Sequence, residues 1–170
     1  SLATMEVSYM KGLMDKPEEF TTLASFYLYK KNPAMSAKVL EKAITNEDID
    51  FDNTNAKLLA DSWLFAKERL KSLNVIGSSL NNDPEDAKLI KQYINIAFSA
   101  FEWDEVIKGV NKANEAGLKD DGKFAPMKGI AYFEKNSIVN AKNSFIKASN
   151  SEEYKDQGIA WLEYLEALNG

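Results

Sequence analysis

The 170-residue chain contains no histidine and no cysteine. The first absence excludes a Ser-His-Asp relay, imidazole metal ligands and the one side chain that titrates near neutral pH when unperturbed. The second excludes disulfides, thiolate nucleophiles, iron–sulfur clusters and thiolate-bound zinc. No apolar run approaches the roughly 20 residues of a membrane span; Trp63-Leu64-Phe65-Ala66, among the longest, sits in a polar setting. The eight glycines are scattered and form no phosphate-cradling loop. Excess positive charge is missing too. With 21 Lys and Arg against 26 Asp and Glu, the net charge is −5, which argues against nucleic acid as the main partner.

Helical periodicity dominates what is there. Phe20, Leu23, Ala24, Tyr27 and Leu28 follow i, i+3, i+4, i+7, i+8 spacing, as do Ala56, Leu59, Ala60, Trp63 and Leu64. No sustained period-two alternation brackets an Asn-Gly or Asp-Gly pair as a hairpin would need, so the expected class is all-α. Breaks are expected at Pro17, Asn32-Pro33, 46–55, 81–84, 117–122, Asn136-Ser137 and Asn150-Ser151. The chain opens with Ser1-Leu2-Ala3-Thr4-Met5, already amphipathic, and so reads as a fragment lacking any signal peptide of its parent.

The helices repeat. Compact residues followed by an aromatic or small one recur as Ala24 and Tyr27, Ala60 and Trp63, Ile94 and Ala97, Gly129 and Tyr132, at intervals of 36, 34 and 35 residues. Each has a second-helix set: Ser36, Leu40, Ala43; Ser72, Ile76, Ser79 with Pro84 beyond; Val106, Val110, Ala113; and Ala141, Phe145, Ala148. Small residues let two helix backbones approach where they cross, and the large neighbour fills the gap beside them. Ile94 and Val106 depart from that rule, so the third pair is expected to sit further apart.

This pattern resembles the tetratricopeptide repeat (TPR), a 34-residue pair of antiparallel helices. The resemblance implies a right-handed α-solenoid in one domain. Residues 1–15 would form the second helix of a truncated repeat, 17–52, 53–86, 87–121 and 122–152 the four full repeats, and 153–170 a capping helix with Gln157, Glu163 and Glu166 outermost. The segments Leu23-Ala24-Ser25-Phe26-Tyr27-Leu28, Leu58-Leu59-Ala60-Asp61-Ser62-Trp63-Leu64, Glu102-Trp103 and Gln157-Gly158-Ile159-Ala160-Trp161-Leu162 are similar to the C-terminal part of gammaproteobacterial envelope TPR proteins encoded with TonB-system components. That narrower resemblance implies a periplasmic protein with a TonB-system partner. The lack of cysteine suits cytoplasm and periplasm alike.

A TPR superhelix lines its concave face with the first helix of each repeat. Mapped onto this chain, one inner position is held by Leu28, Leu64, Phe98 and Phe133, and the position one turn earlier by Ser25, Asp61, Asn95 and Ile130. Tyr29, Lys57, Phe65 and Lys91 lie nearby. The result is an apolar stripe with polar flanks, suited to a partner helix or extended segment. The competing reading packs Leu28 and its equivalents against the neighbouring repeat.

Other constellations have plainer explanations. In 48–53 alternating carboxylates imitate a calcium loop, but Asn53 replaces its glycine and Leu59 its final glutamate. The stretch reads instead as a loop in which Asp52, Asn53 or Thr54 caps the next helix. Carboxylates such as Glu102 and Asp104 have no sign of converging in a cleft. Trp63, Trp103 and Trp161 read as packing residues. Lys91 and Asn95 match the start of a carboxylate clamp, but Met127 stands where its second Asn belongs. No catalytic residue, metal site or cofactor is expected. The expected function is a non-enzymatic scaffold that binds a protein partner in its groove. The alternative is self-association, with dimers forming through an uncapped N-terminal helix around Met5, Tyr9 and Leu13.

Overall fold

A computed structural model describes residues 1–118 and 123–169. Positions 119–122 of the expected break at 117–122, the limits 121 and 122 set for the third and fourth repeats, and Gly170 lie outside the described residues. Among the described residues all regular structure is helical: α1 (Leu2–Met10), α2 (Pro17–Tyr29), α3 (Pro33–Thr45), α4 (Asn53–Phe65), α5 (Arg69–Asn82), α6 (Ala87–Ser99), α7 (Trp103–Glu115), α8 (Phe124–Glu134), α9 (Ile138–Ser149) and α10 (Lys155–Asn169).

The ends of these helices follow local chemistry. Pro17 and Pro33 occupy first-turn positions, where no amide hydrogen is needed. Asn32, Asp52 and Asp86 cap α3, α4 and α6, accepting from the amides of Met35, Asn55 and Leu89. Seven helices stop the same way, at a residue with φ near +60°: Gly12, Lys31, Glu47, Lys67, Phe101, Gly117 and Asn136. After α2, for example, the Lys31 amide donates to Leu28 O and the Asn32 amide to Tyr27 O. This turn satisfies the last carbonyls and sends the chain back alongside its own helix.

The chain divides into two compact units, residues 1–84 and 85–170. In the first, α1 to α5 pack each on the next. Leu23, Val39, Leu40 and Leu59 form its centre, and Leu2, Met5 and Tyr9 of α1 cover one side. In the second, α6 to α10 stack likewise, and Phe145, Ala141 and Leu165 gather Ile130, Phe133 and Trp161 around them.

The third helix pair places its small residue elsewhere. Ile94 and Val106 are fully buried. Gly109 takes the approach instead: a Cβ there would lie 2.7 Å from Ile94 Cγ1 and 3.2 Å from Tyr93 Cδ1. The small residue of this crossing stands three positions later in α7, and the two large side chains fit against its bare backbone.

Candidate functional site

In the first unit, α2 ends on Leu28-Tyr29 and α4 on Leu64-Phe65. Leu28 and Leu64 are half-buried, whereas Tyr29 is 79% and Phe65 68% exposed. Leu28 and Phe65 meet Lys31 and Pro33 around an open pocket of about 310 Å³. The turn at Lys31 brings this about, because it starts α3 at Pro33 beside the end of α2. Lys30 sets its Nζ 5.5 Å from the centre of the Tyr29 ring, a weak attraction at an exposed site. Ser25 and Lys57 are exposed, and the Ser25 hydroxyl donates back to Thr21 O at 2.8 Å. Asp61 is half-buried. The arrangement offers an apolar slot with a lysine and the exposed Phe65 ring in its wall, while Tyr29, next to Leu28 in the chain, projects into solvent.

In the second unit Lys91 and Asn95 are exposed on α6, while Phe98, Ile130 and Phe133 are half-buried. Phe98 meets Trp103 edge-on at 5.7 Å. Phe133 lies 5.3 Å from Trp161 and 5.9 Å from Tyr164. These two rings spend a face on neighbours within their own unit.

Phe101 is the exposed aromatic that the sequence reading passed over. It is 72% exposed, holds φ at +60° just after α6, and packs 5.6 Å from Trp103. A bulky residue in the left-handed region costs free energy that Gly or Asn would avoid. The clue was available: the chain has neither glycine nor proline at 100–102, where one helix must end.

The remaining motifs take structural places. Trp63 is buried, donates to Glu41 Oε1 at 2.9 Å and lies under Lys71 Nζ at 4.2 Å. Trp161 stacks on Phe145 at 4.9 Å with the rings 3° from parallel. Asp52 accepts from the Asn55 amide at 2.8 Å, and Ile49 of the same acidic loop is buried. Met127 is buried in α8. Two tyrosines face carboxylates. Tyr93 donates to Glu105, and burial together with that bond and charge pushes its hydroxyl well above the usual value. Burial and a hydrogen bond to Glu6 push Tyr27 up to about 12.

Comparison with solved structures identifies the architecture. A crystal structure of MamA superposes with a TM-score of 0.65 at 18% identity, over 92% of this chain and 89% of that one. MamA (residue 41 to the end) from Desulfovibrio magneticus gives 0.68 at 12% identity, over 92% and 86%. The C-terminal part of a TPR repeat-containing protein from Cytophaga hutchinsonii gives 0.66 at 13% identity, covering 98% of this chain and 64% of that one. The chain therefore has an all-α, TPR-type repeat fold. No protein-family profile matches it, and no curated protein sequence is significantly similar.

Proposed function

We propose that the chain is a non-enzymatic protein-interaction scaffold. Its repeats run over 17–52, 53–86, 87–121 and 122–152, between a lone second helix at 1–15 and a closing helix at 153–170. The observation that supports this most is the slot at the ends of α2 and α4. Phe65 lines an open apolar pocket with Leu28, and both Phe65 and Tyr29 stand in solvent, although nothing in their local structure requires aromatic residues there. A partner helix or extended segment with spaced apolar anchors would bury them, and most of the affinity would come from those few anchors. In the second unit the groove reading takes the equivalent repeat positions, Lys91, Asn95, Phe98, Ile130 and Phe133. The segments that resemble envelope TPR proteins support a periplasmic location and a TonB-system partner.

The test is a pull-down from a marine gammaproteobacterial envelope extract with the wild type and a Tyr29→Asp, Phe65→Asp double variant. Both positions are exposed, so circular dichroism should show unchanged helicity. A TonB-system protein held by the wild type and lost by the variant supports partner and site together. Equal retention moves the site off this slot. A second reading is self-association: of the residues expected for it, Met5 and Tyr9 pack onto the core, whereas Leu13 is 67% exposed and Met10 beside it in the chain 75%. It expects sedimentation equilibrium to show a dimer that Met10→Asp, Leu13→Asp dissociates.

A further inference from the structure

A polar pocket in the second unit is lined by none of the candidate groove residues. It has a volume of about 240 Å³ and is walled by α7, α8 and α9, room for about eight water-sized volumes. Val110, Ala125 and Tyr132 give it an apolar side; Lys128, Lys147, Asn114 and Asn143 give it amide and ammonium donors. None of its lining residues is acidic. In a chain of net charge −5, two lysines share one small cavity.

The lysines are poorly compensated. Lys128 Nζ donates to Asn111 Oδ1 at 2.6 Å and stands 5.7 Å from the Tyr132 ring centre. Both partners are neutral. Burial, and after it the charge of Lys147, lower the Lys128 pKa below its ordinary value. The described ion pairs of this unit join Lys108 to Glu105 and Lys135 to Asp104, so among the described residues neither pocket lysine pairs with a carboxylate. Two like charges held together without a counter-charge disfavour one another, and an anion between them would relieve both. Donors remain to receive it. Lys128 has two N–H groups beyond its bond to Asn111, Lys147 has three, and the Asn114 and Asn143 amides border the same space.

We propose that this pocket binds a small oxyanion, a carboxylate or phosphate group, clamped by Lys128 and Lys147 with Asn114 and Asn143 alongside. Val110, Ala125 and Tyr132 would accept a short apolar stem, which favours an organic carboxylate over the bare ion. Charge-assisted hydrogen bonds from two ammoniums would supply the affinity.

The experiment is a 15N-resolved NMR titration of the whole chain with succinate, inorganic phosphate and uncharged succinamide at constant ionic strength. Saturable shifts at the side-chain amides of Asn114 and Asn143 are expected with succinate or phosphate, and none with succinamide. Tighter succinate binding identifies a carboxylate on a stem; tighter phosphate binding identifies a bare oxyanion. Lys147→Gln and Lys128→Gln should each weaken binding at least tenfold. Lys147 is exposed, so its variant tests the site even where Lys128→Gln disturbs packing. Shifts that do not saturate, that centre elsewhere, or that survive Lys147→Gln undiminished overturn the proposal.

Discussion

Beside alanine, the helix crossings of residues 1–84 use serine and those of 85–170 use glycine. In the first unit Ser72 of α5 donates to Ala60 O of α4 at 2.8 Å. Ser79 of α5 donates to Asn53 Oδ1, and Asn53 passes the chain on to Asp83. Between α3 and α4, Ser62 donates to Leu58 O and accepts from Ser36 at 2.8 Å. In the second unit Gly109, Gly129 and Gly158 press bare backbone onto Ile94, Phe145 and the end of α9. A serine crossing keeps a side chain and must satisfy it. A glycine crossing depends on there being no Cβ at all, so it tolerates even less change.

That difference is sharpest at Gly158. A Cβ there would lie 2.4 Å from the Ser149 amide nitrogen and 2.8 Å from Phe145 O, both backbone atoms that cannot step aside. Gly158→Ala should destabilise the second unit by about 3 kcal/mol or more, the upper end for overpacking. Alanine's advantage in helix propensity of about 1 kcal/mol is too small to offset this. Thermal melts together with hydrogen exchange should show α10 losing protection first. A melt within a degree of wild type would mean that α10 does not cross α9 this closely.

Each unit also has a tyrosine held protonated by burial and by a neighbouring carboxylate, and alkaline pH compares the two. Tyr27 rises from 10.0 to about 12 in the fold. Its stabilisation is therefore complete below pH 10 and lost between pH 10 and 12, where the unfolded chain gives up the proton first. Over that window the loss is about 2 kcal/mol. Urea unfolding at pH 9 and pH 11.5 should show wild type losing more stability than Tyr27→Phe by about that amount. Tyr93→Phe should remove the matching loss from the second unit and leave the first unchanged.

Gly129 is a milder case than Gly158. Its Cβ would meet the Phe145 ring at 2.5 Å, and a ring can tilt where backbone cannot. Gly129→Ala should cost about 2 kcal/mol. In a double-mutant cycle with Phe145→Leu, the pair should couple by at least about 1 kcal/mol, since the smaller side chain clears the clash. Additive effects would place the strain elsewhere.

These glycines also mark how far the sequence could be read. Ala24, Ala60, Ser36, Ser72 and Ala141, singled out by spacing alone, are all fully buried, because a crossing selects for size and size is written in the residue type. Helix ends were legible only where Pro, Asn or Asp marked them. The turns at 66–68 and 100–102 have no such residue, and Lys67 and Phe101 adopt positive φ under tertiary packing. Gly109 stayed invisible as well. Its role depends on the bulk of Ile94 across the crossing, a pairing that no local pattern encodes. For the candidate site, the stripe Leu28, Leu64, Phe98, Phe133 could be listed from the repeat. That Trp161 and Tyr164 cover Phe133 could not be read from it, because those two rings come from a helix outside the repeat pattern.

The serine crossings should give the smallest effect and the clearest contrast. Ser62→Ala leaves the fully buried Ser36 hydroxyl without its acceptor, at a cost of about 1 kcal/mol. Ser36→Ala should cost less, because Ser62 still donates to Leu58 O. Removing both hydroxyls removes the unmet demand too, so the double alanine variant should be more stable than the two single effects added together. Chemical denaturation of the four proteins measures the coupling directly. A favourable coupling near 1 kcal/mol would show that these serines serve for their size and merely satisfy each other. Full additivity would show that the two hydroxyls do not act through each other, and that the contact between Ser36 and Ser62 adds nothing to the crossing.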